Sequence, residues 1–100
     1  MTPAINLLER NGIAHSVHSY VHDSEADSYG EEAVAALGLA SERVFKTLVV
    51  QLSNNEFAVG LVPVSSTLNL KTMASACKAK KASMALPSDV ERVTGYVLGG

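Results

Sequence analysis

The sequence predicts a mixed α+β domain, and three observations carry that expectation. Residues 44–52 and 57–64 are apolar and rich in β-branched residues, and the turn Ser53-Asn54-Asn55-Glu56 separates them, which is a hairpin pattern. The flanking segments instead repeat their apolar residues at helical spacing and begin with Thr, Ser, Asn or Pro, the residues that start helices. Helices and strands alternate irregularly around an antiparallel hairpin, which favours α+β over a doubly wound parallel sheet.

The elements follow in order. Thr2-Pro3 is an N-cap followed by a first helical residue, Ala4, Leu7 and Leu8 share a face, and Gly12 is the stop. From Ile13 to His22 the period changes to two, with Ile13, Val17 and Val21 on one side and Ala14, Ser16, His18, Tyr20 and His22 on the other, predicting a strand. Asp23 to Ser28 is a polar loop. Ser28-Tyr29-Gly30-Glu31 fits a capping box for a helix ending near Leu37, with Gly38 behind it.

Val44 to Leu52 is apolar on both faces and is expected at the centre of the sheet. Phe57 to Val64 returns as its hairpin partner, with Pro63 near the end. Asn69 caps a helix whose Leu70, Met73, Ala74 and Cys77 form a core stripe. Ala82 to Ala85 reads as a short strand, Pro87 to Glu91 as the start of another capped helix, and Gly95 as its end before a Tyr96 strand.

Composition narrows the function classes. A chain of 100 residues, 47% hydrophobic and 18% charged, is one ordinary small domain with an aliphatic core. No run approaches the roughly 20 apolar residues of a membrane span, and Met1-Thr2-Pro3-Ala4 lacks the basic start of a signal peptide, so a cytoplasmic location is expected. The single Cys77 excludes an internal disulfide. The net charge of −2 is segregated: Asp23, Glu25, Asp27, Glu31 and Glu32 crowd one stretch, while Lys71, Lys78, Lys80 and Lys81 form a local basic patch.

Lys46 is the most anomalous residue. It shares a strand face with Val44, Leu48 and Val50, so its ammonium needs a partner, a snorkelling route, or a function such as binding an ester carbonyl, carboxylate or phosphate at a pocket mouth. His15, His18 and His22 are expected to be polar or partly buried histidines and not a metal site, because His15 faces away and His18 to His22 spans about 13 Å of extended chain. Tyr20, on the His18 face, is either a core-edge residue or a ligand contact. Cys77 lies near a helix C-terminus, where the dipole does not activate a thiol. Lys78, Lys80 and Lys81 are either a solvated helix end or contacts to a phosphate backbone. The motifs of serine hydrolases, zinc proteases, dithiol redox proteins and phosphate loops are missing.

Phe45-Lys46-Thr47-Leu48-Val49-Val50, Ala79-Lys80-Lys81-Ala82-Ser83-Met84-Ala85 and Thr94-Gly95-Tyr96-Val97-Leu98-Gly99-Gly100, with Met1-Thr2-Pro3-Ala4 and Tyr20-Val21-His22-Asp23, together resemble the YbaK family. These are trans-editing deacylases similar to the insertion domain of prolyl-tRNA synthetase. The resemblance covers the whole chain. It implies a barrel-like mixed sheet with flanking helices and hydrolysis of mischarged Cys-tRNA(Pro) beside prolyl-tRNA synthetase, with no cofactor. It also implies a pocket in which Lys46 is the functional lysine and Tyr20, Tyr29, Gly30, Thr47, Gly99 and Gly100 contact the substrate. The substrate's own thiol attacks its ester in this family, which accounts for the missing nucleophile.

Two departures stand out. Tyr29 replaces a common Phe, and family members continue past Gly99-Gly100 into a Ser-Pro-Gly loop and further elements, so the 100 residues are expected to lack a C-terminal part of the fold. Rival expectations are a water-dependent deacylase for Ala-tRNA(Pro) or another small aminoacyl ester, and a fragment that binds tRNA or synthetase without turnover.

Overall fold

In the computed structural model, residues 2–23, 25 and 28–96 are described. Their elements run α1 (Pro3–Arg10), α2 (Tyr29–Leu37), a 3-10 turn (Ser41–Arg43), β1 (Phe45–Leu52), β2 (Phe57–Pro63), α3 (Leu70–Ala76), β3 (Ala82–Met84) and α4 (Pro87–Thr94). The sheet is antiparallel with order β2-β1-β3, so the strand predicted to be central is central. The fold is thus mixed α+β, and its three-stranded sheet is open where a barrel was expected.

Local chemistry explains most helix boundaries. The Thr2 hydroxyl accepts from the Ile5 N–H, that of Ser28 from Glu31, and the Asn69 side chain from Thr72, each satisfying an otherwise orphaned first-turn donor. Gly38 and Gly95 close α2 and α4 in the left-handed conformation, at φ 65° and 74°. The predicted cap of α4 is not formed: Leu86 precedes Pro87 and makes no side-chain bond, and the helix start rests on Pro87 alone. On α1 the less exposed residues are Ile5 and Leu8, not the expected Ala4 and Leu7. The Ala4 N–H donates to the Tyr96 hydroxyl oxygen at 2.7 Å, tying α1 to the residue beyond α4.

The strand expected over Ile13–His22 is not formed. The backbone of residues 14–22 makes no hydrogen bond to another described backbone group, and Ile13, Val17 and Val21 are exposed. Period two tells which residues share a face, but a strand also needs a partner edge, and none of the described strands supplies one. The radius of gyration, 15.1 Å, exceeds the roughly 13 Å of a compact chain of this length. Tyr96 lies outside any strand, and the continuation of that predicted strand falls outside the described residues.

Register places the core. Phe45 pairs with Pro63 and Gln51 with Phe57, so Val44, Lys46, Leu48, Val50 and Leu52 share one sheet face with Val64, Val62, Gly60 and Ala58. Val50, Leu52 and Val64 on this face are buried, and Ala74 of α3 covers it. Gly60 lets α3 approach: a Cβ there would lie 3.0 Å from Leu68 Cδ1 and 3.5 Å from the Met73 sulfur. Gly30 does the same for α2, with Val64 Cγ2 at 2.7 Å from a hypothetical Cβ.

On the opposite face Val49 is buried, but Phe45, Val59 and Leu61 are 59%, 53% and 65% exposed. At the far end of that face the Arg92 guanidinium of α4 lies over the Phe57 ring, 5.8 Å from its centroid.

Candidate functional site

Lys46 sits on the core face of β1, half-buried, opposite Val62 and diagonal to Val64 and Gly60. The glycine contacts above put α2 over Val64 and α3 over Gly60, so Lys46 lies on the strip of sheet between the two helices. Among the described residues it has no carboxylate partner. The ammonium is therefore placed by its strand at the margin of the apolar core, available to an anionic or carbonyl oxygen.

Tyr29 and Gly30 form the first turn of α2 and are brought to the same end of the sheet by the Gly30–Val64 contact. Tyr29 is 54% exposed, and its ring stacks on His22, with centroids 4.8 Å apart and planes 21° from parallel. The His22 Nδ1 is 2.6 Å from Glu32 Oε1, and the Asp23 N–H donates to the other oxygen, Oε2, at 2.6 Å. Both bonds favour the ionised carboxylate. They hold the Glu32 pKa below its ordinary value, the His22 bond contributing most, against a smaller opposing effect of burial.

Thr47 and Lys46 diverge. Neighbouring residues of a strand face opposite ways, so the Thr47 side chain joins exposed Phe45 and Leu61 on the outer face, away from Lys46. Only its main chain lies beside Lys46. The Val64 N–H donates to the Val44 oxygen and the Leu52 N–H to the Glu56 oxygen, so even-numbered residues of β1 bond to β2. Odd-numbered ones point towards β3, whose ladder reaches only Val50 to Leu52, with one further bond from Ala85 to the Val49 oxygen. The N–H and C=O of Thr47 lie beyond that ladder.

Tyr20 is half-buried in the 14–22 stretch. Gly99 and Gly100 lie outside the described residues. Lys78, Lys80 and Lys81 are exposed at the other end of β1, and the Lys80 and Lys81 amides both donate to the Ser53 hydroxyl oxygen. Lys46 and Leu52 at that end are six steps of strand apart, about 20 Å. The structure therefore splits the predicted residues into a Lys46–Tyr29–Gly30 group and a distant basic turn. Cys77 is the C-cap of α3 and half-buried, remote in role from either group.

Two surface depressions lie elsewhere. One of about 680 Å³ on α1 is lined by Pro3, Asn6, Glu9 and Arg10, and one of about 240 Å³ includes Ser53, Asn55, Lys81 and Ser83. The larger lies along the open surface of α1, away from Lys46 and Tyr29.

Sequence reasoning missed His22 and Glu32 as a unit. Tyr29 and Glu32 are three apart on α2 and share a face, and a histidine in the loop before that helix was the available signal.

Residues 23–100 match the family model described as an aminoacyl-tRNA editing domain. The chain belongs to that family. The editing domain is 31% identical over 99 residues to EbsC of Enterococcus faecalis, a protein named for Cys-tRNA(Pro)/Cys-tRNA(Cys) deacylation. The alignment takes in 99% of this chain and 60% of that relative, so the editing domain spans about three-fifths of the relative's length. Its fold is similar to the crystal structure of hypothetical protein APE2540, with a TM-score of 0.79 at 21% identity, covering 97% of this chain and 62% of the other.

Proposed function

We propose that this editing domain is a trans-acting aminoacyl-tRNA deacylase that cleaves the ester of mischarged Cys-tRNA(Pro). The observation that carries the reading is Lys46, a half-buried ammonium on the core face of β1 with no carboxylate partner among the described residues, beside the first turn of α2. Kinship with a protein named for Cys-tRNA deacylation supports the substrate class.

In this reading the ester carbonyl oxygen faces the Lys46 ammonium and the Thr47 N–H, which stabilise the negative charge that develops on it. The substrate's own thiol attacks the ester carbon, the new C–S bond closes a cyclic thiolactone, and the C–O bond to the ribose breaks to release tRNA. Holding thiol and ester in a near-attack arrangement supplies much of the acceleration, so a chain without its own nucleophile suffices. Tyr20, Tyr29 and Gly30 line the aminoacyl end, with Gly99 and Gly100 opposite. Lys78, Lys80 and Lys81 meet the phosphate backbone at the other end of the domain, and prolyl-tRNA synthetase supplies the remaining grip on the tRNA in the cytoplasm.

The test is deacylation of Cys-tRNA(Pro) and Ala-tRNA(Pro) by the native chain and by Lys46→Ala. Release of cysteine, lost in the variant, is the expected result. Equal release of alanine favours a water-dependent small-ester hydrolase. Binding of tRNA without turnover favours a second reading, motivated by the three-fifths span of the relative, in which the chain is a binding fragment.

A further inference from the structure

We propose that His22 is the proton-transfer group of this site and that Glu32 is its positioning residue; this rests on the ester-cleavage reading above. The imidazole is held on two sides. Its Nδ1 lies 2.6 Å from Glu32 Oε1, and its ring stacks on Tyr29 at 4.8 Å. Glu32 is itself fixed, because its second oxygen accepts the Asp23 N–H. The carboxylate is the more sheltered partner, with its side chain 11% exposed against 44% for His22.

The tautomer follows from this geometry. An ionised carboxylate only accepts hydrogen bonds, so the proton of a neutral His22 resides on Nδ1 and the lone pair on Nε2. Among the described residues Nε2 has no partner. A carboxylate that fixes the position, plane and tautomer of an imidazole, leaving one nitrogen free, is the base half of a hydrolytic triad. The nucleophile half is missing from the chain and comes with the substrate.

The location fits the task. His22 is clamped to the first turns of α2, and Gly30 in that turn rests on Val64, diagonal to Lys46 on the same sheet face. A base and an oxyanion-stabilising cation then flank one end of the sheet, as ester cleavage requires. In the step, His22 Nε2 takes the proton of the attacking thiol as the C–S bond forms. It then returns that proton to the ribose oxygen as the C–O bond breaks, so no oxidant or other co-reactant is consumed. Among the described residues the titratable groups facing the imidazole are Glu32 and Tyr29 from α2, with Asp23 next in the chain.

The experiment compares native protein with His22→Phe, His22→Ala and Glu32→Gln on Cys-tRNA(Pro), reading kcat and KM against pH. His22→Phe keeps a stacking ring and cannot move a proton. It is expected to lower kcat by about 100-fold or more with little change in KM, and to abolish the acidic limb of the profile. Added imidazole is expected to restore part of the His22→Ala activity. Glu32→Gln loses the carboxylate that fixes the imidazole plane and tautomer and is expected to lower kcat by about 10-fold with KM unchanged. A His22→Phe protein with native kcat and profile overturns the proposal while leaving the deacylase reading intact. Absence of rescue in a folded His22→Ala protein, together with a native kcat in Glu32→Gln, also overturns it. A native chain that hydrolyses no aminoacyl-tRNA overturns the deacylase reading, and this proposal with it.

Discussion

Gly30 and Val64 are in such close apposition that a Cβ on the glycine would stand 2.7 Å from Val64 Cγ2. Val64 is 5% exposed and cannot withdraw freely. Gly30→Ala gains helix propensity of up to about 1 kcal/mol, yet it is expected to destabilise the domain by about 1–3 kcal/mol through overpacking. Adding Val64→Ala relieves the clash, so the two changes are non-additive in a double-mutant cycle read by urea unfolding. Gly60→Ala costs less, because its nearest neighbours, at 3.0 and 3.2 Å, are the terminal methyl carbons of Leu68.

Lys46→Met separates stability from function. The substitution exchanges a half-buried ammonium without a carboxylate partner among the described residues for a side chain of similar length that suits the core face. Thermal unfolding is expected at or above the native temperature, while kcat/KM for Cys-tRNA(Pro) falls by about 100-fold, the scale of one lost oxyanion donor. A variant that loses both together would remove Lys46 from the site and return it to a structural role.

The Glu32 clip makes stability acid-sensitive. Its folded pKa lies below the ordinary value of 4.5, so its contribution is fully present above about that pH and is lost as pH falls through the lower folded value. The difference in urea midpoint between native protein and Glu32→Gln is therefore expected to be constant at neutral pH and to shrink in the acid range below 4.5. A difference that grows on acidification contradicts the sign.

The basic turn is expected to act on binding alone. Replacing Lys78, Lys80 and Lys81 together by Gln should weaken tRNA binding and reduce the slope of log affinity against log salt by about 2–3. The kcat at saturating tRNA should hold, because this turn lies about 20 Å from Lys46 along β1. Fluorescence anisotropy across a salt series and steady-state deacylation check the two halves.

Helix ends were legible because capping is local: Thr2, Ser28 and Asn69 each bond within three residues of themselves. The β1–β2 hairpin was legible for the same reason, since four turn residues set its register. The 13–22 stretch was not, because a strand is completed by a partner that its own alternation does not name. Lys46 stood out as a cation among apolar neighbours, and the structure places it on the core face as the spacing required. The His22–Glu32 pair stayed hidden because its members are ten residues apart across a loop, and only the folded path of that loop brings them together.

The outer face of the sheet governs how this protein behaves as a material. Phe57, Val59 and Leu61 of β2 turn their main-chain groups away from β1, along an edge that carries no charged side chain, beside the exposed rings and methyls of Phe45, Val59 and Leu61. Such an edge accepts strands from other molecules, above all once heating loosens the fold. Unfolding traces should then depend on scan rate and protein concentration, and the observed lifetime in the tube becomes a rate of association and not a depth of energy well.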